Sequence, residues 1–131
     1  MTTSNFKIIL LLFFAFIFID AKWEIENNPG IIWNETEHKF GDIKHGKIVE
    51  TNFVLTNTTK DTLVIENVQG SCGCIISKWP QQAILPNDTA GIIVKFDPKG
   101  KVGRQFKSLT VYTSMGAYFL GISANIQKSN D

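Results

Sequence analysis

Little in this chain is of the kind from which active sites are assembled. It has two histidines and two cysteines, and its 13 basic and 12 acidic residues leave a formal net charge of +1. So even a balance argues against nucleic acid or an anionic membrane surface held by charge. The densest basic cluster, Lys95, Lys99, Lys101, Arg104 and Lys107, is broken by Asp97, Pro98 and two glycines and reads as a solvated loop. Ser71 is not in a Gly-x-Ser-x-Gly elbow, and no glycine-rich phosphate loop precedes a helix. Asp42, Glu50, Glu66 and Asp97 stand singly, without the close carboxylate pairing that glycoside hydrolysis needs. Neither an enzyme nor a bound cofactor is expected.

The chain also lacks an apolar run long enough for a spanning helix. Its longest, Ile8 to Ile19, follows Lys7 and ends at Asp20 and Ala21, and its twelve residues fit the apolar core of a secretory signal peptide. Residues 1–21 are therefore expected to be an export signal. Ala21 suits the position before a cut, whereas Ile19 is larger than a signal peptidase prefers, so an uncleaved anchor is the alternative and the one route to a membrane. With no cysteine directly following the apolar run, a lipid anchor there is not expected. The expected organisation is a linker over 22–30, one domain over 31–127 and a polar tail over 128–131. Export places that domain in the periplasm or cell envelope, or outside the cell.

Beyond the signal, no stretch sustains a helical period. Apolar residues recur instead at alternate positions between turn residues, the pattern of half-buried strands. Val49, Thr51, Phe53 and Leu55 share one face, as do Ile92, Val94 and Phe96, then Leu109 and Val111, then Leu120, Ile122, Ala124 and Ile126. Further strands are expected at Gly30–Trp33, around His38–Gly41, at Leu63–Val68 and over 74–79 up to Pro80. Asp97–Gly103 reads as a hairpin connection and Ser114-Met115-Gly116 as a turn. Seven to eight short strands without intervening helices predict an all-β fold, an immunoglobulin-like antiparallel β-sandwich. Cys72 and Cys74 lie too close in sequence to bridge two sheets as in antibody domains.

His38-x-Phe40-Gly41-Asp42-Ile43, Gly46, Phe53-x-Leu55-x-Asn57, Leu63-x-Ile65, Ser71-Cys72-Gly73-Cys74, Pro86 and Gly103 follow one another in an order that resembles the bacterial family called domain of unknown function 1573. The resemblance runs from about Trp33 to Ile126. It implies an exported envelope protein with an immunoglobulin-type fold like that of Hydin and major sperm protein, and no particular activity. Asn87 stands after Pro86 where the family often has glycine; asparagine tolerates the left-handed backbone that a turn there can require.

Three readings of Cys72-Gly73-Cys74 stand side by side. The cysteines are small apolar residues packing at a strand start, bridged or not; or they form an easily reduced redox disulfide; or they hold Cu(I) or zinc with a nitrogen from His38 or His45. No metal site is expected, and Cys72, Cys74 and His38 are the residues from which one could be built. In a straight strand, Cα atoms two residues apart are about 6.5–7 Å apart, at the upper edge of disulfide geometry. Gly73 permits a kink that brings the sulfurs together, and Gly70 just upstream suggests that the chain is already turning there. Neither histidine has an evident carboxylate partner, and both read as ordinary surface groups. Trp33 and Trp79 read as packing residues, although exposure beside a groove would suggest a carbohydrate or peptide surface. Three Asn-x-Thr triplets, at Asn34, Asn57 and Asn87, read as turn chemistry. The leading expectation is a non-enzymatic module that binds another envelope protein through an edge strand or end loops. Its rival is a thiol-redox or copper- or zinc-handling protein centred on Cys72 and Cys74.

Overall fold

Alternation decides which face of each strand is buried, and partner choice decides how the strands assemble. The computed structural model describes residues 30–129, so the expected signal peptide and nearly all of the expected linker lie outside the described residues. The described residues form eight strands: β1 (Ile31–Trp33), β2 (Glu37–Ile43), β3 (Val49–Asn57), β4 (Ile65–Gly70), β5 (Ile75–Lys78), β6 (Thr89–Phe96), β7 (Gly103–Thr113) and β8 (Gly116–Ile126). They make two four-stranded sheets, ordered β1-β3-β6-β5 and β2-β8-β7-β4. This is the immunoglobulin-like sandwich.

Every pairing is antiparallel except that of β2 with β8, which is parallel and corrects the expectation of a wholly antiparallel fold. The reason lies at the edge. Residues 34–36 carry the chain from β1, at the edge of one sheet, to β2, at the edge of the other, where it runs parallel to β8. The expected hairpin at Asp97–Gly103 is also corrected, because β6 and β7 belong to different sheets and this segment crosses between them. Two-residue alternation marks a strand but not the sheet it joins.

Phe53, Leu55, Ile92, Val94 and Phe96 from one sheet pack against Leu109, Val111, Leu120, Ile122 and Ile126 from the other, all fully or nearly buried. Such side chains stabilise the fold by about 1.5–3 kcal/mol each on full burial. Two bulges adjust the phase. A register shift between Ile65 and Asn67 lets Ile65 and Val68 both face inward, three residues apart. Another, between Lys39 and Asp42, does the same for Phe40 and Ile43. Gly41 sits in that second bulge with φ +68°, a conformation that costs other residues but not glycine.

Candidate functional site

Ser71-Cys72-Gly73-Cys74 forms the link from β4 to β5 and so carries the chain from one sheet edge to the other. Ser71 prolongs the β4–β7 ladder: its N–H donates to the Ser108 carbonyl at 2.8 Å, and its Oγ accepts from the Ser108 N–H at 3.2 Å. The chain then folds tightly, with the Ile75 N–H donating to the Cys72 carbonyl at 3.2 Å. That turn brings the Cys72 and Cys74 Cα atoms to 5.2 Å, and the two sulfurs are bonded. A ring this small removes little entropy from the unfolded chain, so its effect on stability is local.

The kink falls at Gly73, as the sequence suggested, because the 5.2 Å between the Cα atoms on either side of it is set by its own backbone, but the bend does not require glycine. Gly73 is absent from the left-handed positions, and a Cβ built on it would meet nothing within 4 Å. Gly70 is the residue that must lack a side chain, since its Cβ would fall 2.6 Å from the Ile75 Cβ. Closing the turn presses β5 back onto the end of β4.

The other motif residues build turns and registers. Gly46 has φ +72° at the third position of a turn closed by the Lys47 N–H on the Lys44 carbonyl at 3.1 Å. Pro86 and Asn87 occupy the centre of a like turn, closed by the Asp88 N–H on the Leu85 carbonyl at 3.0 Å. Asn87 there takes the left-handed φ of 67°. Asp42 accepts from the Asn125 amide at 2.7 Å, tying β2 to β8. Asn57 is wholly buried. Its Nδ2 donates to the carbonyls of Asp61 at 2.9 Å and Ile84 at 3.1 Å, and its Oδ1 accepts from the Thr59 N–H at 3.1 Å and Oγ1 at 2.7 Å. One amide thus organises the β3–β4 turn and fastens it to the segment before β6.

The structure does not bring His38 to the cysteines. It lies on β2, at the opposite edge of its sheet from β4. Contrary to expectation it has a carboxylate partner, Glu35, with Nδ1 and Oε1 2.8 Å apart, and its ring meets Phe40 edge-on at 4.6 Å. Among the described residues no group of three or more His, Cys, Asp or Glu side chains converges. Trp33 and Trp79 pack partly buried against the core, and Trp33 meets Tyr118 with ring centroids 6.1 Å apart. The indole nitrogens of both tryptophans and the Tyr118 hydroxyl are buried without a hydrogen-bond partner, and burial pushes the Tyr118 pKa up. These rings pack against the core of the sandwich.

Sequence reasoning marked only the ends of β1 and not the consequence of its shortness. Thr58 N–H donates to the Gly30 carbonyl at 3.0 Å and Asn34 N–H to that of Val54 at 2.9 Å, so the even-numbered residues of β3 direct their backbone groups toward β1. The odd-numbered ones pair with β6. Once the chain leaves β1, the Asn34 side chain takes over: Oδ1 accepts from the Val54 N–H at 2.8 Å, and Nδ2 reaches the Asn52 carbonyl at 3.5 Å. Beyond that, the N–H of Asn52 and both backbone groups of Glu50 point outward and have no partner among the described residues. The remaining edges are blunted. β2 and β4 carry bulges, and β5 is four residues long and soon followed by Pro80.

Comparison with known proteins gives a fold and a family. A protein of unknown function from Porphyromonas gingivalis W83 superposes with a TM-score of 0.63 at 12% identity, over 72% of this chain and 46% of that one. The ASH / PapD-like domain 7 of human CEP192 gives 0.62 at 9%, over 76% and 87%. The YadV chaperone gives 0.53 at 10%, over 78% and 54%. The chain thus spans about half the length of the first and the last, and the likeness to all three is one of fold. Among curated proteins, none matches the sequence. The family model described as Protein of unknown function (DUF1573) matches residues 31–126, the whole of the sandwich, and the chain belongs to that family.

Proposed function

We propose that this domain is a non-enzymatic protein-binding module of the cell envelope that accepts an extended segment of a partner as an added strand along β3. The observation that carries the reading is the row of backbone groups at Glu50 and Asn52 that are unpaired among the described residues, in line with β1 and next to a strand already held by β6. An incoming strand gains main-chain hydrogen bonds there without displacing any part of the fold. Alternate side chains of that strand would lie toward Val49 and Thr51, which are only half-buried, whereas Phe53 and Leu55 on the same face are fully buried. The likeness in fold to a chaperone and to an ASH / PapD-like domain agrees with an assembly role. The thiol-redox reading has less support. Cys74 is buried, and no helix among the described residues offers an N-terminus to lower a thiol pKa.

Proline at position 50 is the discriminating change. The Glu50 N–H points outward, so Glu50→Pro removes a donor from the edge and none from the β3–β6 ladder. The exposed Glu50–Lys95 ion pair that it also removes, at 3.5 Å, is worth little. With a photo-crosslinking side chain at Lys47 in intact cells, a discrete protein adduct is expected. Glu50→Pro should reduce its yield about tenfold, the effect of losing roughly 1.4 kcal/mol, with Tm nearly unchanged. An adduct indifferent to Glu50→Pro, or none at all, contradicts the proposal.

A further inference from the structure

We propose that the outer face of the β2-β8-β7-β4 sheet joins two copies of this chain about a twofold axis. This is independent of the strand-acceptor reading, which concerns the other sheet.

The outward positions of β7 and β8 carry the largest apolar groups left in water. Phe119 is 75% exposed, Phe106 62% and Tyr112 39%. Charged or small polar residues usually occupy such a face. On the same face lies an open cleft of about 500 Å³, lined by Lys39, Asp42, Arg104, Phe106, Ser123 and Asn125. The Phe106 ring lies across Gly121, where a Cβ would meet its Cζ at 3.0 Å, so the ring forms an apolar wall of the cleft. The face therefore carries both a knob, Phe119, and a hole with an aromatic wall and two cations at its rim.

The spacing of knob and hole suits an isologous pairing. Phe119 and the Ser123–Asn125 end of the cleft are separated along β8 by about five residues, roughly 17 Å at strand rise. An axis lying in the interface, perpendicular to the strands and level with Gly121, carries the Phe119 of each copy onto the cleft of the other. The two sheets then stack face to face with the small angle usual in sandwiches. Each phenyl ring lies against Phe106 and presents its face to Lys39 and Arg104, an arrangement that cations favour. Glu37, on the edge strand at the level of the axis, meets its copy only at the rim, where solvent screens the repulsion.

β7 and β8 have 11 residues each. At strand rise and spacing, the four-stranded face offers about 600 Å² per copy, somewhat under the roughly 800 Å² of a standard interface. An interface of this size makes a weak, reversible dimer the expected state. The near-neutral charge of the chain adds little repulsion.

Sedimentation equilibrium of the full purified chain from about 1 to 500 μM tests this, beside Phe119→Ser and Arg104→Glu. The expected result is a monomer–dimer equilibrium that each substitution weakens about tenfold or more while Tm stays the same. Phe119→Ser removes a side chain that is three-quarters exposed, and Arg104→Glu reverses an exposed charge in the cleft outside the core. A monomer throughout, whether the face is bare or covered by the chain's own residues before Gly30, overturns the proposal. So does a dimer that survives both substitutions.

Discussion

Replacing Asn57 with alanine is expected to cost about 3 kcal/mol of unfolding free energy, more than any exposed substitution in this chain. The side chain is wholly buried and makes four hydrogen bonds, two as donor and two as acceptor. Alanine removes the amide but leaves its partners in place, and each buried group stranded in this way costs about 1–3 kcal/mol. The contributions do not simply add. Thr59 and Asp61 lie near the surface and recover water, whereas the bond to Ile84 is buried and does not. Aspartate should be no better, since it keeps the acceptor, loses both donors and buries a charge. In urea unfolding the midpoint should fall with an unchanged slope. A loss below about 1 kcal/mol would show that the β3–β4 turn does not depend on this amide.

Gly70→Ala is expected to destabilise by about 1–3 kcal/mol, while Gly73→Ala, three residues on, changes stability by no more than about 0.5 kcal/mol. The new methyl at position 70 would stand 2.6 Å from the Ile75 Cβ and 3.3 Å from the Cys72 carbonyl oxygen. Neither can swing aside, because one is the root of a side chain and the other is backbone. For the same reason Ile75→Ala should not rescue Gly70→Ala fully, since it keeps the atom in conflict. At position 73 the backbone is not left-handed and the space is open. Thermal unfolding of the two alanine variants side by side checks the contrast. Equal losses would place the strain of the turn at Gly73 after all.

Much of the sandwich was legible because burial on one face imposes a period of two. Phe53, Leu55, Ile92, Val94, Leu109, Val111, Leu120 and Ile122 are all inward, as their alternation requires. What alternation cannot encode is the neighbour. The pattern over Asp97–Gly103 predicts a hairpin where the chain crosses between sheets, and it holds no sign of the parallel β2–β8 pair, because both depend on which sheet a strand joins. The role of Asn57 left a trace that composition hid: it continues the inward phase of Phe53 and Leu55, so a polar residue at that position had to be buried and satisfied. Gly70, the last residue of β4, and Gly73, in the link to β5, illustrate the opposite limit. Both glycines mark a turn in the sequence, but only the approach of Ile75, which depends on how that turn closes, shows that Gly70 is the one that must lack a side chain. The open edge of β3 arises in the same way, from where β1 departs rather than from anything in the sequence of β3.

The central claim is that the Glu50–Asn52 stretch of β3 is an unpaired edge ready to accept a strand, and amide hydrogen exchange of the isolated protein tests it most directly. The N–H groups of Thr51 and Phe53 are held in the ladder to β6, whereas those of Glu50 and Asn52 face outward. The expected pattern is therefore an alternation along β3, with slow exchange at Thr51 and Phe53 and rapid exchange at Glu50 and Asn52. Protection of Glu50 and Asn52 equal to that of their neighbours would mean that the edge is already covered, and would contradict the account.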